Sequence, residues 1–352
     1  MLKIAVIQRF LPSQSRGGVG HFTHGLCNAL VQRGHSVTVY SQDPAPADSH
    51  YLVQVIPPDR GGARRRVDPL LFPLQIARQD FSGFDVLHAQ GDDHLLPRHA
   101  ALPVVRTMHG SAWAEAIHNG WHLGSPKRFL LHTYFYACEF VSSMRADQTV
   151  AVSHDTRRYY PGIQRVIPNG VAVERFSNPS GKRSDLPSLL FVGDLDSRKR
   201  GRLLLEVFKN QVRPALPDAT LWLVCPERVD GDGVVWFGSM DDDRLAALYR
   251  TAWVFCLPSS YEGFGRPYVE AMAAGATVVA TPNPGATEVL ENGKYGLIVS
   301  DDRLGATLCM LLRSPAMREQ YAVRACEHAS RFAWEHVARE YEQVYEAIRR
   351  KR

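Results

Sequence analysis

Short runs rich in Val and Ile alternate with longer stretches of helical spacing, and this alternation is run through twice along the 352 residues. KIAVIQ (3–8), SVTVYS (36–41), DVLHAQ (85–90), VVRTMH (104–109) and QTVAVS (148–153) are bounded by turn residues, as buried parallel strands are. Between the first two, residues 21–34 put Phe22, Leu26, Leu30 and Val31 at helical spacing and stop at Gly34, a C-cap signal. That is a strand–helix–strand unit. The pattern restarts near Leu189, with strands expected at 189–195, 220–226, 234–238, 252–259, 277–282 and 296–300. Helices are expected at 202–216, 241–252, 266–275 and 301–315. Such a chain predicts an α/β fold of two facing, doubly wound Rossmann-like domains. Their ligands would bind in the interdomain cleft, beyond the carboxyl ends of the strands.

The expected boundaries are a first domain at 1–170, a Pro-, Gly- and Ser-rich linker at 171–188 and a second domain at 189–330. Residues 331–352 form a last helix with Phe332, Val337, Tyr341 and Val344 on one face. It is expected to cross back to the first domain, packing on its own domain being the alternative.

No apolar run approaches the roughly 18 residues that span a bilayer, and the opening MLKIAVIQRF reads as a strand rather than a signal peptide. The six cysteines lie far apart with no C-x-x-C pair. Reduced thiols in a cytoplasmic protein are expected, with no metal or disulfide. Charge is uneven. Residues 1–177 hold 18 Lys and Arg against 13 Asp and Glu, a surplus of five, whereas the remainder holds 23 of each. An anionic partner should therefore favour the amino-terminal part, although scattered solvated charge accounts for the surplus equally well.

Three segments carry chemistry. In PSQSRGGVGHF (12–22), Gly17, Gly18 and Gly20 precede a helix, so backbone amides and the helix start could meet a phosphate. The spacing is neither G-x-G-x-x-G nor a Walker loop, and a plain strand–helix turn remains open. VGDLDSRKRGR (192–202) places Arg198, Lys199, Arg200 and Arg202 between a strand and a helix, where they could clamp a diphosphate or form a solvated basic loop. YEGFGRPYVE (261–270) is a strand-to-helix loop, since Pro267 suits a first helical turn. Glu262 and Glu270 can each accept two hydroxyl hydrogen bonds, as a hexose or a ribose offers in vicinal pairs. Gly263 and Gly265 free amides between them for phosphate. The competing account, acidic residues at a helix start, explains Glu270 alone but not the constellation.

The run EGFGRPYVEAMAAGATVVATPNPGATEVLENGKYGLIV resembles the signature region of the retaining GT-B-fold glycosyltransferases of family four, the glycosyl transferases of group 1. GGVGHFTHGLCNALVQRGHSVTVYS is similar to that family's first glycine-rich loop and helix, VIPNGVAVERF to its interdomain segment and RFAWEHVAREYEQVYEAI to its last helix. The resemblance covers nearly the whole chain. It implies that Glu262 holds donor-sugar hydroxyls and Glu270 the nucleotide ribose. Amides around Phe264, Gly265 and Arg266 would contact sugar and diphosphate. Gly18 would approach the diphosphate from the other domain, Lys199 would bind phosphate, and His109 would lie near the transferring carbon. Two departures stand out. Family members carry Arg where this chain has Asp194, so either Arg198 or Arg200 supplies that charge or phosphate is bound more weakly. The usual glycine-rich turn after the next strand is CPE (225–227) here.

The resemblance implies a metal-independent hexosyltransferase that uses a nucleotide-sugar, a UDP-sugar before GDP-mannose. The acceptor would be a glycan, a lipid-linked sugar or a small molecule, and no nucleic acid would be bound. The acidic runs GDD (91–93) and DDD (241–243) are not expected to hold a metal. A noncatalytic nucleotide-sugar-binding module is the alternative. An NAD-dependent oxidoreductase is disfavoured, because the first loop lacks the fingerprint and Gln42 stands at the end of SVTVYS. Residues 61–81 join three arginines to an apolar stretch, which would suit peripheral contact with anionic membrane or an ordinary core helix. Acceptor contacts are expected from 91–94 and 118–129.

Overall fold

The computed structural model of the protein describes residues 1–12, 18–57, 70–97, 102–118, 126–178 and 180–351. The chain forms two compact units, Met1–Gly170 with Trp334–Arg352, and Val171–Ala333.

The first unit is built on seven parallel strands, β1 (Lys3–Ile7), β2 (Ser36–Ser41), β3 (Leu52–Val55), β4 (Val86–Ala89), β5 (Val104–Met108), β6 (Gln148–Ala151) and β7 (Arg165–Val166). Their spatial order is β3-β2-β1-β4-β5-β6-β7. β1 and β4 are buried along almost their whole length, which requires apolar residues on both faces. The helix Gly18–Gln32 lays Phe22, Leu26 and Leu30 on the sheet. The last helix, Trp334–Arg350, adds Val337, Tyr341, Val344, Tyr345 and Ile348 to the same core. It starts three residues later than the sequence suggests. Ala333 is extended, and Phe332 closes a 3₁₀ turn in the other unit, where it meets Phe264 edge-on at 5.7 Å. Polar groups fix the last helix as well. Glu342 takes Arg33 at 2.6 Å and His35 at 2.7 Å, and the Tyr345 hydroxyl bonds His88 Nδ1 at 2.7 Å.

The second unit has six parallel strands, β8 (Ser188–Val192), β9 (Thr220–Val224), β10 (Val234–Trp236), β11 (Val254–Leu257), β12 (Thr277–Ala280) and β13 (Leu297–Ile298), in the order β10-β9-β8-β11-β12-β13. In both sheets the winding reverses beside the first strand. That places one switch point between β1 and β4 and another between β8 and β11, the position where open α/β sheets hold ligands. The stretch 171–188 belongs to this unit. Its helix Val173–Phe176 buries Phe176 against Tyr249, with ring centroids 5.5 Å apart.

Residues 61–69 of the proposed membrane segment lie outside the described residues. Beyond them the helix Leu71–Ala77 buries Phe72 and Ile76 in the sheet core. Residues 118–129 are described only at their ends. The chain resumes in the long helix Pro126–Arg145.

Candidate functional site

β8 and β11 lie side by side, with Leu190 opposite Phe255, so the loops that leave their carboxyl ends are neighbours by construction. The first loop carries Arg198 and Lys199, and the second carries Glu262. The two are laced together: Ser260 N donates to the Arg198 carbonyl at 2.8 Å, and Arg198 Nη1 donates to the Tyr261 carbonyl at 2.8 Å. Arg198 Nη1 also meets Glu262 Oε1 at 2.7 Å. Glu262 is buried, and its Oε1 accepts a second bond from Ser259 Oγ at 2.9 Å. The carboxylate is thus held by one cation and one hydroxyl, both short. Asp194 is exposed. Arg200 stands before the helix Gly201–Val207 in a left-handed conformation and pairs with Asp301, so neither it nor Arg198 stands idle in place of the missing family arginine.

Lys199 lies across Gly193. Its Nζ donates to the Val192 carbonyl at 3.3 Å, and a Cβ on residue 193 would stand 2.1 Å from the lysine Cδ. Glycine at 193 is what lets the lysine lie flat at the end of β8.

The helix Arg266–Ala273 opens on Gly265, whose φ of 90° is open to glycine and strained for other residues. Pro267 occupies the first turn, where no amide proton is needed. Phe264 is buried in the core, so only its backbone is available to a ligand. Arg266 and Glu270 approach to 3.5 Å across one helical turn, and Arg266 Nε is buried without a hydrogen-bond partner. Glu270 is buried beside the hydroxyl of Tyr249. Burial first, then the Glu270 carboxylate, raises the pKa of that phenol. The hydroxyl itself makes no hydrogen bond, so it stands near Glu270 as an unspent donor.

Several positioning residues go beyond those the sequence suggests. Gly285 N donates to the Glu262 carbonyl at 2.9 Å, and a Cβ at 285 would lie 2.7 Å from the carbonyl oxygens of both Glu262 and Phe264. Asn283 caps the helix Pro284–Val289 through Ala286 N at 2.9 Å, while its amide nitrogen reaches the Ser259 carbonyl and the Tyr268 hydroxyl at 3.2 and 3.1 Å. The sequence signal is the run NPG (283–285), an N-cap followed by proline at N1. Its tie to the Glu262 loop is a long-range contact that no local pattern records.

In the first unit, Gly17 lies outside the described residues and Gly18 is the first residue of its helix. No described atom comes within 4 Å of a Cβ built at Gly18. His109 follows β5. Its Nε2 bonds Gln90 Oε1 at 2.7 Å, and its ring meets Phe22 edge-on at 4.7 Å. Desolvation first, then Arg106 and His88, pushes the His109 pKa down to about 3, so the ring is neutral near pH 7. The acidic runs have partners. Asp93 is paired with buried Arg106, Asp241 caps its helix through Arg244 N at 2.9 Å, and Asp242 meets Arg175 at 2.9 Å.

Two Rossmann-like units, one carrying a carboxylate-lined glycine turn at its switch point, define the class: a GT-B glycosyltransferase. Residues 16–175 match the family model for Glycosyltransferase Family 4, and residues 186–314 match that for Glycosyl transferases group 1. The chain belongs to the group 1 glycosyltransferases and is an enzyme of the hexosyltransferase type. It is 28% identical over 375 residues to the phosphatidyl-myo-inositol mannosyltransferase of Mycobacterium tuberculosis (strain H37Rv), covering 94% of this chain and 93% of that protein. It is 25% identical over 285 residues to the GDP-mannose:cellobiosyl-diphosphopolyprenol alpha-mannosyltransferase of Xanthomonas campestris, covering 75% and 74%. Among solved structures, the sucrose-phosphate synthase of Thermosynechococcus elongatus superimposes with a TM-score of 0.80 at 21% identity over 99% of both chains. That likeness speaks for the fold.

Proposed function

We propose that this enzyme transfers a hexose, with retention at the anomeric carbon, from a nucleoside-diphosphate sugar to a hydroxyl of a lipid-linked glycan acceptor. The observation that carries the reading is the turn 262–270. A buried carboxylate is held by Arg198 and Ser259 at one end, a second buried carboxylate stands beside Tyr249 at the other, and the unpartnered Arg266 Nε sits at the helix start between them. Glu262 takes the sugar hydroxyls and Glu270 the ribose. The amides of 263–266, together with Arg198 and Lys199, take the diphosphate. The bond from the anomeric carbon to the diphosphate breaks, and the acceptor oxygen bonds that carbon on the same face. The acceptor proton passes to the departing phosphate oxygen. Fixed amides and cations aimed at the growing negative charge supply the main stabilisation, and no protein nucleophile or metal is called for.

The assignment of His109 beside the transferring carbon rests on the family resemblance, and its neutral state suits a hydrogen bond to the sugar. The names of the two relatives favour GDP-mannose over the UDP-sugar suggested by the sequence alone. They also favour a lipid-linked acceptor. The helix Pro126–Arg145 supports that choice, since Leu130 is 67% and Met144 64% exposed and Val141 lies on the surface with them. Peripheral contact with an anionic membrane fits the same reading.

The test is a transfer assay of purified protein against GDP-mannose, UDP-glucose, ADP-glucose and dTDP-glucose with polyprenyl-diphosphate and phosphoinositide acceptors, EDTA present, the product anomer being read by NMR. One donor should give an α-linked product, and turnover should disappear in Glu262→Ala. Donor binding without transfer or hydrolysis under any pairing would instead favour the noncatalytic module. An inverted product, or strict dependence on added Mn²⁺, would overturn the mechanism.

A further inference from the structure

The donor-side residues lie at the carboxyl ends of the second sheet. At the opposite end of that sheet lies a cavity of about 370 Å³, within the range of small-molecule sites. It opens between the approaches to β8, β11 and β12 and the helix Pro315–Ala329, and none of the residues placed in the donor site lines it.

Two arginines dominate the cavity. Arg183 spends three N–H groups on backbone carbonyls: Nη1 donates to Arg250 and Ala252 at 2.9 and 3.1 Å, and Nη2 donates to Gly275. Arg318 spends two on Leu311 and Leu312, at 2.6 and 3.0 Å. A guanidinium has five N–H donors, so each keeps some free of those carbonyls. The Arg318 guanidinium lies over the Trp253 ring, 4.1 Å from its centroid, which fixes its plane. Among the described residues, neither arginine has a carboxylate within salt-bridge distance. Glu319 lines the cavity from the exposed face of the helix. Desolvation lowers the pKa of both guanidinium groups, and at Arg183, where Cys326 acts in the opposite sense, Arg318 lowers it further. The two guanidinium groups are close enough to repel each other, and the helix C-termini whose carbonyls they take, about half a negative charge each, offset only part of their charge.

We propose that this cavity is a second binding site, separate from the donor site, for a small phosphomonoester such as a hexose phosphate. The guanidinium groups would take the phosphate oxygens, and the remaining volume would take the sugar. A phosphate oxyanion would accept from the guanidinium N–H groups that the carbonyls leave over. The fork geometry of arginine suits phosphate, and the cavity is larger than a bare anion fills. Helix C-termini at 250–252, 275 and 311–312 hold the arginines, so the site is preformed rather than assembled by the ligand.

The experiment is isothermal titration of the full-length protein with hexose 6-phosphate, inorganic phosphate and citrate. Wild type, Ala322→Glu, Glu319→Gln and Lys199→Ala are compared. Ala322 is half-buried where its helix lines the cavity, and a glutamate there would act as an internal countercharge. Hexose 6-phosphate should bind more tightly than inorganic phosphate. Ala322→Glu should weaken it by about tenfold or more, Glu319→Gln should tighten it, and Lys199→Ala should leave it unchanged. Transfer activity of Ala322→Glu without hexose phosphate should match wild type. Binding that survives in Ala322→Glu and is lost in Lys199→Ala would assign the phosphate to the donor site and overturn the proposal. So would the absence of saturable binding in wild type, or citrate binding as tightly as the sugar phosphate. If Ala322→Glu fails to fold, the tightening in Glu319→Gln decides alone.

Discussion

Replacing Gly285 by alanine tests whether the donor turn is held from behind. The alanine Cβ would stand 2.7 Å from the carbonyl oxygens of Glu262 and Phe264 and 2.8 Å from Glu262 Cβ. Ordinary contact begins near 3.4 Å, so something must move by about 0.7 Å. All three atoms belong to the turn itself, whereas Gly285 is anchored by the capped helix Pro284–Val289. The turn should yield. Overpacking of this kind costs about 1–3 kcal/mol, or roughly 2–12 °C in the melting temperature of a unit this size. Because a misplacement of ~1 Å can cost about a hundredfold in rate, a shift of this size should lower kcat/KM for the donor by about tenfold or more. Gly296→Ala is the control. Its Cβ would come within 2.9 Å of the Val278 carbonyl, a similar clash in the same unit, but against β12 rather than the turn. Both variants should melt earlier, while only Gly285→Ala should lose donor kcat/KM. Equal kinetics in the two, at matched losses of stability, would refute the claim that Gly285 positions Glu262.

Acid should destabilise the first unit. His88 is fully buried between the Tyr345 hydroxyl and Thr107 Oγ1, and desolvation first, then Arg106, pushes its pKa down to about 3. The unfolded chain then binds the proton first, so stability is intact above about pH 6.5 and falls as pH drops toward 3. The loss between pH 7 and pH 5 is about 2 kcal/mol for this residue, with His109 acting in the same direction. Urea melts at the two pH values measure it, and a flat profile would contradict the burial of a neutral ring. Tyr345→Phe removes the 2.7 Å partner of His88 Nδ1 and leaves that buried nitrogen only the 3.5 Å approach of Gln90 Nε2. It should cost about 1–3 kcal/mol by the same melts.

The strands of both sheets are legible in the sequence wherever they are buried on both faces, because only that environment demands unbroken Val and Ile. The edge strand β3 (LVQV) is largely exposed and broken by Gln54, and β7 (RV) begins on an arginine, so neither shows the apolar run that marks the equally exposed edge β10 or the equally short β13. The helix Pro126–Arg145 escapes for a related reason. Its outer face is apolar too, so the contrast between faces that marks a surface helix is weak. Pro315–Ala329 starts after a single residue beyond Arg313, too close to the preceding helix for sequence pattern to separate the two.

At the site, the boundary of legibility follows sequence distance. Glu262, Gly265, Pro267 and Glu270 lie within nine residues, and each announces a local requirement: a turn, a positive φ or a first helical position. The partners that give these residues their geometry are Arg198, Asn283 and Gly285, which come from other loops and helices. Arg198 reads from the sequence as a phosphate clamp. Its contacts with Glu262 and the Tyr261 carbonyl add a second duty, because the cation we propose for the diphosphate also fixes the carboxylate we propose for the sugar. These two duties pull in opposite directions. A diphosphate that draws Arg198 away would leave Glu262 Oε1 to Ser259 and the carboxylate more open to sugar hydroxyls. Diphosphate binding and sugar binding would then be coupled through one guanidinium. In Arg198→Ala the free nucleotide and the intact nucleotide-sugar should lose affinity by different factors. Equal losses would show that the arginine serves the phosphates alone.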